Sequence, residues 1–207
     1  MLNFSDNYSY FYILLLQIHV TTQYSSQNRT RLLQVARKSL EHFLNNGQRT
    51  KFTTESPELL KKGAVFETLR KTDTGDLRGC IGQTEAHRTL IEAVARTAIS
   101  AAVDDSRFPQ VKLNELANLL IEINVLTPMF VITPDNVVVG KHGLLLSKGS
   151  SRGLFLPEVA VSRGWDHLTF LDELCRKADL PRGSWRDADA ELQAFESESW
   201  EEIENAL

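Results

Sequence analysis

Apolar residues recur at helical spacing in three segments of the chain. The first segment covers residues 28–46, and the second covers residues 90–103. Thr89 and Glu92 at the start of the second segment have the form of a capping box. The third segment follows Asp166, whose carboxylate is suited to an N-cap. The pattern therefore predicts three amphipathic helices.

Alternating apolar and polar positions predict strands in other parts of the chain. Residues 63–70 and 77–81 are two such runs, and the Asp and Gly residues between them favour a turn, so a β-hairpin is predicted. Residues 119–126 have the period of a half-buried strand. Their alternating positions are Ile121, Ile123 and Val125 against Glu122 and Asn124.

Three shorter strands are predicted over residues 137–139, 144–146 and 153–156. The links between them are too short for a crossover, so antiparallel pairing is expected. Helices that alternate with antiparallel hairpins predict an α+β fold rather than a doubly wound parallel sheet.

The first 27 residues are predicted to be an N-terminal extension outside the fold, which would then occupy residues 28–207. Residues 10–20 form the one long apolar run there, which is too short to span a bilayer and follows no basic residue. A degenerate signal peptide or a segment that touches a membrane is the alternative interpretation.

Composition and charge exclude several classes of function. The chain of 207 residues has 23 Lys and Arg against 27 Asp and Glu, a formal net charge of −4. It lacks the basic excess that neutralises phosphates, so nucleic acid is not an expected partner. Two distant cysteines fit neither a disulfide framework nor a zinc site, and this favours a reducing, cytoplasmic compartment.

The strongest candidate for chemistry is the sequence LRGCIG at residues 77–82. Simple strand alternation would place Arg78 and Cys80 on one face and Leu77 and Ile81 on the other. A guanidinium beside the sulfur would favour the thiolate. Gly79 and Gly82 predict close approach of something to the backbone, such as a ligand. The structural alternative is a buried cysteine that acts as a small hydrophobe.

Four further residues are candidates for a site, each with a structural alternative. His142 lies between glycines beside a lysine and is a candidate for proton transfer, or else the tip of a hairpin. Glu158 at a predicted helix start is a second candidate, or else complements the helix dipole. Asp105 and Arg107 form a candidate ligand-binding patch, or else a structural ion pair in a loop.

Familiar catalytic motifs are absent from the sequence. Residues 149–153 match G-x-S-x-G, but a strand is predicted after them where a hydrolase needs a helix. No Walker sequence, dinucleotide-binding glycine triplet or H-E-x-x-H is present, and no metal-ligand spacing is evident. The sequence assigns no cofactor.

Together these segments resemble the AMMECR-one domain family, known in prokaryotes as AmmeMemoRadiSam system protein A. The resemblance extends from about Arg29 to about Glu198, and Asn124 stands where the family usually has serine. The similar segments are residues 77–82, 101–102, 105–109, 122–128, 140–143, 156–160, 165–166, 170–171 and 177–181, together with Trp185.

This resemblance implies two unequal, intimately packed subdomains with antiparallel sheets flanked by helices. It also implies an association with Memo-like and radical SAM proteins, and it implies no established reaction.

Two hypotheses of function follow. In the first, the chain is a noncatalytic module that binds a small anionic ligand or a protein through the surface at Arg78 and Cys80. In the second, Cys80 is the nucleophile or acid/base of an enzyme that acts on a small anionic substrate, and His142 or Glu158 moves the proton.

Overall fold

The computed structural model describes residues 23–203. The helices are α1 (Ser26–Asn46), α2 (Pro57–Leu60), α3 (Leu90–Val103), α4 (Pro157–Ser162) and α5 (His167–Lys177). The strands are β1 (Ala64–Lys71), β2 (Leu77–Gln83), β3 (Leu119–Leu126), β4 (Phe130–Val131), β5 (Gly143–Lys148), β6 (Ser151–Phe155), β7 (Glu191–Phe195) and β8 (Ser197–Glu201). Short 3₁₀ helices cover Leu113–Asn118, Pro134–Asn136 and Ser184–Arg186.

The first subdomain is a sheet of order β2-β1-β3-β8 with antiparallel neighbours. Helices α1 and α3 lie together over one face, and Leu32 of α1 and Val94 of α3 belong to the same apolar cluster as Ile121 of β3. The predicted hairpin, the predicted helix over residues 90–103 and the predicted strand over residues 119–126 are confirmed. Thr89 is the N-cap of α3, but its side chain accepts no hydrogen bond there, so the predicted capping box is wrong.

The second subdomain is a sheet of order β4-β7-β5-β6, also antiparallel, with α5 packed against β5 and β6. Asp166 caps α5, because its Oδ1 accepts the backbone N–H of Thr169 at 2.8 Å. The predicted strand over residues 137–139 is wrong. The amide N–H groups of Lys141 and His142 both donate to the carbonyl of Val138, which closes a turn.

A third apolar cluster joins the two subdomains. Ala64 and Leu126 of the first sheet pack with Phe195 of the second, and Phe66 and Leu156 extend the contact. The last strand, β8, returns to pair with β3. The α+β architecture with two packed subdomains and antiparallel sheets is therefore confirmed, and the first subdomain is built from both ends of the described chain.

The fold includes residues before the predicted boundary at residue 27. Tyr24 is buried against Trp200, with ring centroids 5.8 Å apart, and the N–H of Gln23 donates to Glu198 Oε2 at 2.6 Å. Ser25 caps α1 by accepting the N–H of Asn28. The N-terminal residues 1–22, with their apolar run, lie outside the described residues. Between residues 23 and 203 we find no helix with the length and apolar character needed to cross a membrane.

Gly79 allows α3 to contact β2. A Cβ atom at this position would lie 2.1 Å from the carbonyl oxygen of Ala101, near the end of α3. A side chain of any size would therefore push the helix from the sheet.

Glu67 is an ionisable residue in the apolar core. It is 0% exposed on the α1/α3 face of β1, and neither carboxylate oxygen has a hydrogen-bond partner within residues 23–203. Burial, followed by the nearby charge of Glu202, raises the pKa of Glu67 well above its usual value. The folded protein therefore holds this proton at pH values where an unfolded chain releases it.

We expect Glu67→Gln to stabilise the protein at neutral pH. Folded Glu67 binds a proton that the unfolded chain loses above a pKa of about 4.3, so the free energy of unfolding falls as pH rises through that region. The variant removes this loss, so its free energy of unfolding should exceed that of wild type at pH 8 and differ little from it at pH 4. Urea denaturation at the two pH values measures the difference, with exposed Glu191→Gln as control. Equal gains at both pH values would contradict the account.

Gly79→Ala is expected to destabilise the fold by about 1–3 kcal/mol, because the new methyl group collides with a helix carbonyl that cannot turn aside. Gly82→Ala is the comparison, since a Cβ there meets the half-buried ring of Phe66, a side chain, and not the backbone of a helix. Thermal unfolding should rank wild type above Gly82→Ala and Gly79→Ala lowest. A Gly79→Ala protein as stable as wild type would refute the packing role.

Candidate functional site

Cys80 lies at the centre of β2 on the face of the first sheet turned away from α3. It stands opposite Thr68 of β1, whose hydroxyl Oγ1 donates to Sγ at 3.3 Å. The side chain is partly exposed. The sulfur is therefore accessible, and it accepts a hydrogen bond from the neighbouring strand.

The loop after α3 holds the backbone of Cys80. Asp105 Oδ2 accepts the N–H of Cys80 at 2.8 Å. The same carboxylate accepts Arg107 Nε at 2.9 Å and Nη2 at 2.7 Å, and Nη2 also lies 3.3 Å from the carbonyl oxygen of Cys80. These bonds, with the Arg107 guanidinium first, hold the pKa of the buried Asp105 carboxyl well below its usual range. The pair is thus fully charged and fixed against the cysteine.

Arg107 keeps part of its guanidinium available. Its side chain is 56% exposed. Within residues 23–203 no acceptor takes a hydrogen bond from Nη1. A cation that is held on one edge and open on the other is suited to recognise an anion.

Arg78 does not lie beside the sulfur, so this prediction is wrong. Gly79 and Leu77 stand opposite the adjacent residues Leu69 and Arg70 of β1, which makes Arg78 the extra residue of a β-bulge. The bulge interrupts the alternation of side chains on which the prediction rested, and Leu77 and Ile81 do not share a face.

The guanidinium of Arg78 is buried against Glu115, with its Nε and Nη2 at 3.0 and 3.2 Å from the carboxylate oxygens. Its Nη1 donates to the carbonyl of Pro109 at 2.9 Å. Arg78 therefore anchors the segment after α3.

The pKa of the Cys80 thiol is raised, contrary to the expected thiolate. Burial is the largest cause, and the charges of Asp105 and Glu122 act in the same direction. The hydrogen bond from Thr68 and the charge of Arg107 oppose them. The thiol is thus the favoured form at neutral pH.

The two glycines of the motif are explained by packing within the protein. The space beside Gly79 is filled by the carbonyl of Ala101, and a Cβ at Gly82 would lie 2.1 Å from the ring of Phe66. These are the close approaches that the sequence indicated, and protein atoms make them both.

His142 lies in the second subdomain and is 7% exposed, so its ring is not accessible, although the flanking glycines in the sequence favoured an accessible one. Its Nδ1 accepts the N–H of Val138 at 3.1 Å, and its ring packs edge-on against Phe130. Burial and then Lys141 lower the pKa of this imidazole, and Glu196 opposes them. None of these contacts of His142 involves Cys80.

Glu158 reaches the first sheet from the start of α4. Its Oε1 accepts the amide Nδ2 of Asn124 on β3 at 3.0 Å. Partial burial of the carboxyl raises the pKa of Glu158, and so does Glu122, while its own backbone N–H and Arg70 oppose the rise. Because Glu122 also acts on the Cys80 thiol, both predicted residues border one polar sheet face.

Sequence reasoning missed Thr68, Glu122 and Asn124 as members of this site. The alternation in β3 already placed Glu122 and Asn124 on one polar face. The missing information was the pairing: Cys80 stands opposite Thr68, and Thr68 stands opposite Glu122. Residues 23–203 contain no group of three or more His, Cys, Asp or Glu side chains placed to hold a metal ion.

Comparison with known proteins identifies the family. The family model described as AMMECR1 matches residues 33–200. Protein MK0488 of Methanopyrus kandleri is 39% identical over 181 residues, which cover 84% of this chain and 87% of that protein. Protein PH0010 of Pyrococcus horikoshii is 41% identical over 181 residues, which cover 83% and 88%.

A solved structure supports the family relationship that the sequence comparisons show. The crystal structure of uncharacterized protein PH0010 from Pyrococcus horikoshii superposes with a TM-score of 0.79 at 41% identity, covering 83% of this chain and 89% of that one. The chain therefore belongs to the AMMECR1 family, whose relatives named here carry no established activity.

Proposed function

We propose that the chain is a noncatalytic binding module that holds a small anionic group at the Cys80–Arg107 surface, which consists of Thr68, Cys80, Asp105 and Arg107. The observation that carries the proposal is the fixed Arg107 guanidinium, bound to Asp105 on one edge and exposed on the other.

Rigidity of the cation supports binding. A free arginine loses rotamer entropy when it binds an anion, whereas Arg107 is already ordered by Asp105 and by the carbonyl of Cys80. The thiol of Cys80 and the hydroxyl of Thr68 add weak polar contacts beside it.

A cysteine-dependent enzyme is the second candidate, and one observation favours it. The hydrogen bond from Thr68 and the charge of Arg107 both stabilise a thiolate at Cys80. Burial outweighs them, and the imidazole of His142 is engaged by Val138 instead of facing the sulfur. Catalysis would need Glu122 or Glu158 to take the proton, and both are less suited than a histidine near neutral pH.

We also infer a cytoplasmic setting, since both cysteines are free thiols and Cys80 is partly exposed. The association with Memo-like and radical SAM proteins stays a prediction.

Alkylation of Cys80 separates the two candidates. Because burial raises the pKa of this thiol, the rate of reaction with iodoacetamide should have its midpoint above the value of about 8.5 found for an ordinary thiol. Mass spectrometry of peptides with Cys80 and Cys175 gives both rates in one sample, and buried Cys175 should react after unfolding. A Cys80 midpoint well below 8.5 would favour the enzyme.

Arg107→Gln should weaken the binding of inorganic phosphate at least tenfold, since it removes a charged donor worth about 1.5–3 kcal/mol. NMR titration that follows the amides of Cys80 and Arg107 measures the affinity. The control is Arg182→Gln, which removes an arginine of similar exposure from an ion pair with Glu173. Phosphate affinity unchanged in Arg107→Gln would remove the basis of the proposal.

A further inference from the structure

Asn124, on the same sheet face as the Cys80–Arg107 surface, has a hydrogen-bond acceptor without a donor among residues 23–203. The residue is 3% exposed, and its Nδ2 donates to Glu158. Its Oδ1 has no hydrogen-bond partner among residues 23–203. Buried acceptors in folded proteins nearly always have a hydrogen-bond donor, so we expect a bound molecule to supply one to this carbonyl oxygen.

The groups around Asn124 are mostly acceptors. Glu158 comes from the second subdomain, and Glu122 lies on the same polar face of β3. Arg70 is the nearby cation, and its Nε lies 3.4 Å from Glu122. Two carboxylates, those of Glu122 and Glu158, therefore lie near Asn124 with one guanidinium.

A primary ammonium matches this arrangement, because it carries a positive charge and three N–H donors and accepts nothing. One such group could donate to Asn124 Oδ1 and to the carboxylates of Glu122 and Glu158. We propose that the ligand is an amine-bearing anion whose acidic group binds Arg107 and whose ammonium binds between Asn124 and Glu158. This inference rests on the proposed anion-binding function.

The register of the sheet gives the length of the ligand. Cys80, Thr68 and Glu122 form one row across β2, β1 and β3, which spans two strand spacings, about 10 Å. Asn124 lies two residues further along β3, so its Cα atom is about 12 Å from that of Cys80, against which Arg107 is held. An extended peptide spans about 3.3–3.6 Å per residue, so a peptide of three or four residues with free termini has the required length.

The test compares triglycine with N-acetyl-triglycine by NMR titration of the full chain. The two probes share a carboxylate and differ at the amine. We expect wild type to bind triglycine at least tenfold more tightly, and Glu158→Gln to reduce this ratio to threefold or less while N-acetyl-triglycine binds as before.

The matched control is Glu58→Gln. Pro57-Glu58 begins α2 as Pro157-Glu158 begins α4, and Glu58 likewise accepts the amide of an asparagine, Asn28. The ratio of the two affinities should not change in this variant. Asn124→Ser is the second test variant, and it should lower the ratio as Glu158→Gln does; thermal unfolding checks that both proteins are folded.

The outcomes separate this inference from the proposed function. Equal affinity of wild type for the two peptides, or binding of phosphate but of neither peptide, would overturn the amine site and leave the anion site standing. Peptide and phosphate affinities that are both unchanged in Arg107→Gln would overturn the anion site and the inference together.

Discussion

The contact between Gly79 and the carbonyl of Ala101 is the constraint on which the site depends. It brings the end of α3 against β2. The loop that follows then starts close enough to the strand for Asp105 to accept the N–H of Cys80 and to hold Arg107 beside it. Arg78 secures the same loop further along, through Pro109 and Glu115. Backbone packing thus places the exposed cation.

The two faces of the first sheet have opposite characters. The face under α1 and α3 is apolar except for Glu67, whose pKa is raised by its burial in the core. The other face carries Thr68, Glu122 and Asn124 in adjacent rows with Cys80. Because one face supplies the hydrophobic stabilisation, the other can carry polar groups, and one of them, the buried Oδ1 of Asn124, lacks a hydrogen-bond partner among residues 23–203.

The second subdomain completes this polar face. The apolar cluster of Ala64, Leu126 and Phe195 fixes the two sheets against each other, and the start of α4 carries Glu158 to Asn124. The return of β8 to the first sheet ties the chain across both units. An anion at Arg107 and a cation near Glu158 would therefore be held at a junction whose geometry the fold already sets.

The sequence by itself determined the main elements of the protein: the three long helices, the hairpin of β1 and β2, the strand β3, the α+β class and the family motif. These depend on local periodicity, which each segment carries in its own residues. The tertiary structure decided which arginine lies beside Cys80. A bulge at Arg78 turns that side chain toward Glu115. Asp105, 25 residues after Cys80, instead accepts the N–H of Cys80 and holds Arg107. It also decided that His142 is buried away from Cys80 and that Glu158 contacts Asn124. Strand pairing and the packing of the subdomains are contacts between residues that are distant in the sequence, and no local pattern encodes them.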